Sequence, residues 1–126
     1  MVLHHIGIIV NDIESALAYY TFLGYEQINT ITFDDIQMNN IVFLSAGCQP
    51  YIELIQPVNE KSTVYNAKTG FHHLAYDIRN DLETIAFVKK NRLGKKIYGP
   101  VQAPCIENRW IVFFYMKNQI IYEFIK

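Results

Sequence analysis

Two histidines and two glutamates stand at matching places in a sequence that repeats itself. Residues 3–17 read LHHIGIIVNDIESAL and residues 71–85 read FHHLAYDIRNDLETI. A second echo pairs Tyr51-Ile52-Glu53-Leu54-Ile55 with Ile121-Tyr122-Glu123-Phe124-Ile125, so that His5 precedes Glu53 by 48 positions and His73 precedes Glu123 by 50. Side chains alternate across a strand. This sets His5 with Gly7 and Ile9, opposite His4, Ile6, Ile8 and Val10. It likewise sets His73 with Ala75 and Asp77, opposite His72, Leu74, Tyr76 and Ile78. Glu53 and Glu123 fall in the middle of apolar strands, where a carboxylate is costly unless paired, protonated or metal-bound. A lone strand His or Glu is ordinarily a solvent-facing residue, but four in register across a repeat could converge on one point. Two imidazole nitrogens and two carboxylate oxygens suit one divalent ion such as Zn, Ni, Co, Mn or Fe. On an octahedral ion they leave two adjacent positions for water or a bidentate substrate. The corresponding chemistry is Lewis-acid enolisation, with a nearby Glu moving the proton as general base. Gly7 and Ala75 would leave space beside the set, and His4 and His72 read as structural.

The elements that must position these residues follow the same repeat. Residues 3–10 alternate as a half-buried strand. Asp12 can cap a helix whose apolar stripe is Ile13, Ala16, Leu17, Tyr20 and Leu23, with Gly24 as its stop. Strands are expected at about 26–33, 38–45 and 51–56. In the second half a strand covers about 72–78, Asn80 or Asp81 caps a helix to about residue 92, and Gly94 ends it. Strands at about 95–98, 110–116 and 120–125 follow, the last two as a hairpin turning at Lys117-Asn118-Gln119. The polar stretch 57–70, PVNEKSTVYNAKTG, reads as the link. The expected class is α+β: one domain over residues 1–126, made of two βαβββ halves at about 1–58 and 70–126.

Composition agrees with a packed domain. The chain has 126 residues, 51% of them apolar and 18% charged, with 11 basic and 12 acidic side chains and a net charge of −1. Read this way it carries no block of one sign, which argues against nucleic acid or a polybasic membrane patch as partner. No apolar run is long enough to span a membrane, and no signal-peptide layout opens the chain. Cys48 and Cys105 are too few for a disulfide scaffold, so reduced thiols in the cytoplasm are expected.

At HHIGIIVNDIESALAYYTFLGYE, YIELIQP, GFHHLAYDI, RWIVFF and IYEFI the chain resembles the vicinal oxygen chelate superfamily, which includes glyoxalase I and methylmalonyl-CoA epimerase. The resemblance spans nearly the whole chain. It implies paired βαβββ modules in a U-shaped mixed sheet around a divalent ion, with His5, Glu53, His73 and Glu123 as ligands. Glu123 falls where glyoxalase I has its catalytic base. It also implies a homodimer and a small-molecule substrate of thioester or hemithioacetal class. The activity would be of lactoylglutathione lyase or epimerase type, proceeding through an enediolate or enolate. A fourth ligand argues against the extradiol dioxygenases, and the intact set argues against metal-free drug-sequestering members. A metabolite-binding protein without catalysis and a biosynthetic tailoring enzyme are the alternatives.

One departure concerns the second acid/base of the epimerases. Where they tend to carry an acidic residue before Gln-Gly, this chain has Ile36-Gln37-Met38, leaving Asp34 or Asp35 as substitutes or as solvated turn residues. Gln37 and Asn39 share a strand parity and could line the cup. Arg109, just before a strand, could hold a substrate carboxylate or phosphate, or be a surface arginine at a turn. Cys105 has no basic neighbour in sequence and reads as inert.

Overall fold

The computed structural model describes residues 1–126, with nine strands of a mixed sheet and two α-helices. The chain resolves into two compact units, His5–His72 and His73–Lys126, the latter joined by Met1–His4. We call them the first and second halves.

In the first half β1 (Val2–Ile9) is followed by α1 (Ile13–Phe22), β2 (Glu26–Gln27), β3 (Thr32–Asp34), β4 (Asn39–Ser45) and β5 (Tyr51–Pro57). Asp12 caps α1, its carboxylate accepting from the Ser15 amide at 3.0 Å. The Ser15 hydroxyl, and then its amide, hold that carboxyl below the usual range. Gly24, at φ +88, takes the left-handed conformation past the helix end, as the sequence predicts. Strand β5 runs parallel to β1 and antiparallel to β4. The strand expected at 26–33 is broken into β2 and β3, which both pair with β4. Asn29 causes the break, because its side-chain oxygen takes the Phe43 amide at 2.8 Å in place of a backbone carbonyl. Two extra residues are thereby absorbed, since Gln27 faces Leu44 but Thr32 faces Ile41.

The second half follows the same plan: β6 (Gly70–Asp77), α2 (Thr84–Lys90), β7 (Gly94–Ala103), β8 (Arg109–Met116) and β9 (Ile121–Ile125). Strand β9 is parallel to β6 and antiparallel to β8, and β8 pairs with β7. The β8–β9 turn forms as expected, with Met116 and Ile120 joined through the Met116 amide. Two expectations fail. No side chain caps α2, which starts at Thr84 because residues 78–84 form two tight backbone turns first. Its stop is Arg92, at φ +52, and not Gly94. Gly94 already belongs to β7, and a Cβ there would meet Met116 Sδ at 2.5 Å. Close approach explains this glycine.

Each helix covers one face of its strands. Ile13 packs on Val42, Leu44, Ile52 and Leu54, with Ala16, Leu17 and Tyr20 alongside. Leu23 stays out of this stripe and is largely exposed. In the second half Val88 and Ile85 pack on Val112, Phe114, Met116 and Phe124. The link is not wholly a solvated loop. Val64 is buried against Ile9 and Ile55, and Ser62 is buried against the Asn39 side chain, whose oxygen accepts its hydroxyl at 2.6 Å.

Leu54 is fully buried. Leu54→Ala is expected to cost about 2–5 kcal/mol in urea unfolding. Leu23→Ala should stay within about 0.5 kcal/mol.

Candidate metal centre

The face of each half opposite its helix carries the histidine and glutamate. In the first half β1 brings His5 beside Tyr51 and Gly7 beside Glu53, while β4 sets Phe43 opposite Glu53. His5 Nε2 lies 3.3 Å from Glu53 Oε2, and the imidazole stands edge-on to Phe43, 5.1 Å between centroids. In the second half β6 brings His73 beside Ile121 and Ala75 beside Glu123, with Phe113 opposite Glu123. His73 Nε2 lies 2.9 Å from Glu123 Oε2 and stands edge-on to Phe113 at 5.2 Å. The two constructions match residue for residue: a carboxylate between a small residue on one neighbour strand and a phenylalanine on the other.

His5, Glu53, His73 and Glu123 are exposed by only 0, 6, 1 and 2%. Each offers one ligand atom, and as a group they could hold a metal ion. The donor chemistry fits. Neutral imidazoles with two ionised carboxylates carry a charge of about −2, which a divalent cation cancels, and removing that charge from water would otherwise be costly.

Phe43 and Phe113 escaped the sequence reading although a signal was present. Both end the tripeptide Ile-Val-Phe, at 41–43 and 111–113, ten residues before their glutamates. Missed as well was the run Lys89-Lys90-Asn91-Arg92-Leu93-Gly94-Lys95-Lys96, which is a block of one sign. The chain therefore does carry clustered basic charge, contrary to expectation.

The secondary candidates have partners of their own. Asn39 donates to Thr63 Oγ1 at 3.3 Å and accepts from Ser62, so its amide pins the link. Gln37 donates through Nε2 to Asp34 at 3.1 Å, and its backbone oxygen accepts the Thr63 amide. Asp34 is buried and takes the amides of Ile36 and Gln37 on its other oxygen. It closes a turn, and both its oxygens are engaged; Asp35 is exposed. Arg109 grips Asp77 with two bonds of 2.9 Å and donates to the backbone oxygens of Lys126 and Ile125. It acts as a strut across the ends of β6, β8 and β9, which accounts for it without a substrate. Neither Cys48 nor Cys105 is in a disulfide.

The Arg109 guanidinium, bonded to Asp77, holds that carboxyl far below the usual carboxylate range against the opposing effect of burial. A depressed carboxylate stabilises the fold fully above its unfolded pKa of about 3.9, and the contribution fades as pH falls toward the folded value. Arg109→Met should cost about 1–3 kcal/mol near neutrality. Its deficit against the parent should shrink below pH 4 in denaturant titrations; a deficit independent of pH would contradict the assignment.

A repeated βαβββ plan with a buried His/Glu pair in each half defines an α+β protein with a candidate metal-ligand group. The sequence profile of the Glyoxalase/Bleomycin resistance protein/Dioxygenase superfamily matches residues 4–99, and the chain belongs to that superfamily. A hypothetical protein from Bacillus halodurans C-125 has a similar structure, with TM-score 0.82, 27% identity, and coverage of 98% of this chain and 92% of that one. Methylmalonyl-CoA epimerase from Mycobacterium tuberculosis superposes with TM-score 0.79 at 22% identity, covering 98% and 85%. A variant of the Streptomyces coelicolor methylmalonyl-CoA epimerase in complex with 2-nitronate-propionyl-CoA gives 0.78 at 20% identity, covering 98% and 94%. No match is found among curated proteins.

Proposed function

We propose that this protein is a divalent-metal-dependent enzyme that moves a proton at the carbon beside a carbonyl, in an acyl-CoA thioester or a glutathione-type hemithioacetal. The reaction is then of methylmalonyl-CoA epimerase or lactoylglutathione lyase type. The observation that carries this reading is the pair of buried His–Glu constructions at equivalent register. His5, Glu53, His73 and Glu123 would hold the ion, whose contribution is Lewis-acid polarisation of the substrate carbonyl.

The remaining work falls to the chain. Glu123 is the base: its carboxylate takes the proton from the α-carbon and the C–H electron pair moves toward the carbonyl oxygen. In a hemithioacetal the same carboxyl then delivers the proton to the adjacent carbon, whereas inverting a thioester α-carbon needs a second acid on the opposite face. Phe113, beside both His73 and Glu123, keeps water from the carboxylate and so preserves its basicity. The engagement of Asp34 in its turn removes one substitute for a second acid/base. That favours chemistry in which one carboxylate both accepts and returns the proton. The neighbours that are methylmalonyl-CoA epimerases support the thioester. The same reading takes the protein to act as a homodimer in the cytoplasm; no helix is long and apolar enough to cross a membrane.

Elemental mass spectrometry on reconstituted protein should find about one ion per chain, lost in His5→Ala and Glu123→Ala. With the ion loaded, exchange of the α-hydrogen of methylmalonyl-CoA for solvent deuterium should be visible by NMR. The hemithioacetal of methylglyoxal is the parallel substrate. Glu123→Gln should slow exchange at least about 100-fold. A metal-loaded parent that exchanges neither substrate would overturn the enzymatic reading in favour of a metabolite-binding protein.

A further inference from the structure

The second half holds an open cavity of about 490 Å³, lined by Lys89, Arg92, Gly94, Lys95, Tyr115, Met116 and Lys117. Four of its seven lining residues are cationic and none is acidic. The cations come from three places in the fold: the last turn of α2 and the residue that ends it, the start of β7, and the β8–β9 turn. All four are exposed, and none takes part in a salt bridge. Lys89 can offset the carbonyl end of its helix. Arg92, Lys95 and Lys117 lie beyond that turn, so helix compensation does not account for them. Four like charges around one cavity repel one another, and an anion that enters removes the repulsion.

The aromatic wall narrows the class of anion. Lys95 sits directly across from Tyr115 in the β7–β8 ladder, which places both side chains on one face with the ring half-exposed. Tyr115 is two residues from Phe113 on the same face of β8, the face that carries Glu123 and His73. One such step along a strand is about 7 Å. Lys89 and Arg92 belong to the helix side of the sheet and Lys95 and Tyr115 to the other. The cavity therefore lies at the end of β7 and β8, where phosphates can meet the ammonium and guanidinium groups and a base or sugar can lie against the exposed ring.

We propose that this cavity binds the phosphate groups of a nucleotide-like ligand. The shared chemistry has two sources: the nucleotide end of a CoA thioester reaching the Glu123 face, or a free nucleotide. Only the first source rests on the thioester reading above.

Adenosine 3′,5′-bisphosphate titrated into the whole protein by calorimetry is the direct test. We expect saturable binding that weakens with added salt. Lys95→Ala combined with Lys117→Ala should weaken it by about tenfold or more, the effect of losing charge-assisted contacts to phosphate. Lys61→Ala with Lys68→Ala, two exposed cations of the link, should not. If the Lys95/Lys117 double variant also raises KM for a CoA thioester, the ligand is the substrate's tail. If KM is unmoved while bisphosphate binding is lost, the ligand is a free nucleotide. Bisphosphate binding in a protein that turns over no thioester would sink the thioester reading and leave this one standing. No saturable binding below about 1 mM, or equal affinity in the Lys95/Lys117 variant, would overturn it.

Discussion

A carboxylate in the middle of an apolar strand is the constraint to which both halves answer. Neither Glu53 nor Glu123 can be moved to the other face without reversing the parity of a whole strand, which would turn Ile52 and Leu54, or Tyr122 and Phe124, away from their helices. The glutamate face and the helix face are therefore fixed by the same register. The parallel neighbour must then bring a small residue beside the carboxylate and a histidine two positions earlier. The antiparallel neighbour brings a phenylalanine. The geometry of each pair is a consequence of strand pairing, held by backbone ladders on both sides of β5 and β9. Side chains held this way lose little further freedom when a ligand binds, which is the condition for a preorganised site.

The repeat made this arrangement legible. Alternation set the faces, the two echoes set the equivalence, and the order of strands and helices followed with few errors. The errors have local physical causes. The broken strand at 26–33 depends on a single side chain, Asn29, substituting for a backbone acceptor, and nothing in hydrophobic periodicity signals that. The late start of α2 reflects turns stitched by backbone bonds, which any residue can make. In sequence Gly94 fits the familiar role of glycine at a helix end, whereas the requirement is a close approach to Met116 that exists only once β7 and β8 have paired.

The polar candidates divide on the same line. His5, Glu53, His73 and Glu123 could be singled out because they recur at matching places in the repeat, on strands that are otherwise largely apolar. Arg109 and Asn39 could not be separated from structural polar groups, because their partners lie far along the chain: Asp77 for Arg109, and Ser62 and Thr63 for Asn39. The aromatic partners of the histidines had no polar label to draw the eye, although their spacing was repeated. The basic run at 89–96 was masked by a near-zero total, which averages over a cluster that the fold concentrates at one end of β7 and β8.

A chain that holds two copies of one plan also keeps a record of how they diverged. The His, the Ile-Val-Phe and the Glu are common to both copies, whereas the helix cap, the length of the helix and the residues after it are not. Where the first copy continues Gly24-Tyr25-Glu26, the second continues Gly94-Lys95-Lys96. The His, Phe and Glu thus belong to the plan the two halves share, and the cationic cavity to the second half alone. The two halves are equivalent at their His–Glu pairs and inequivalent beyond the ends of their helices, so the charge gathered there distinguishes one half from the other.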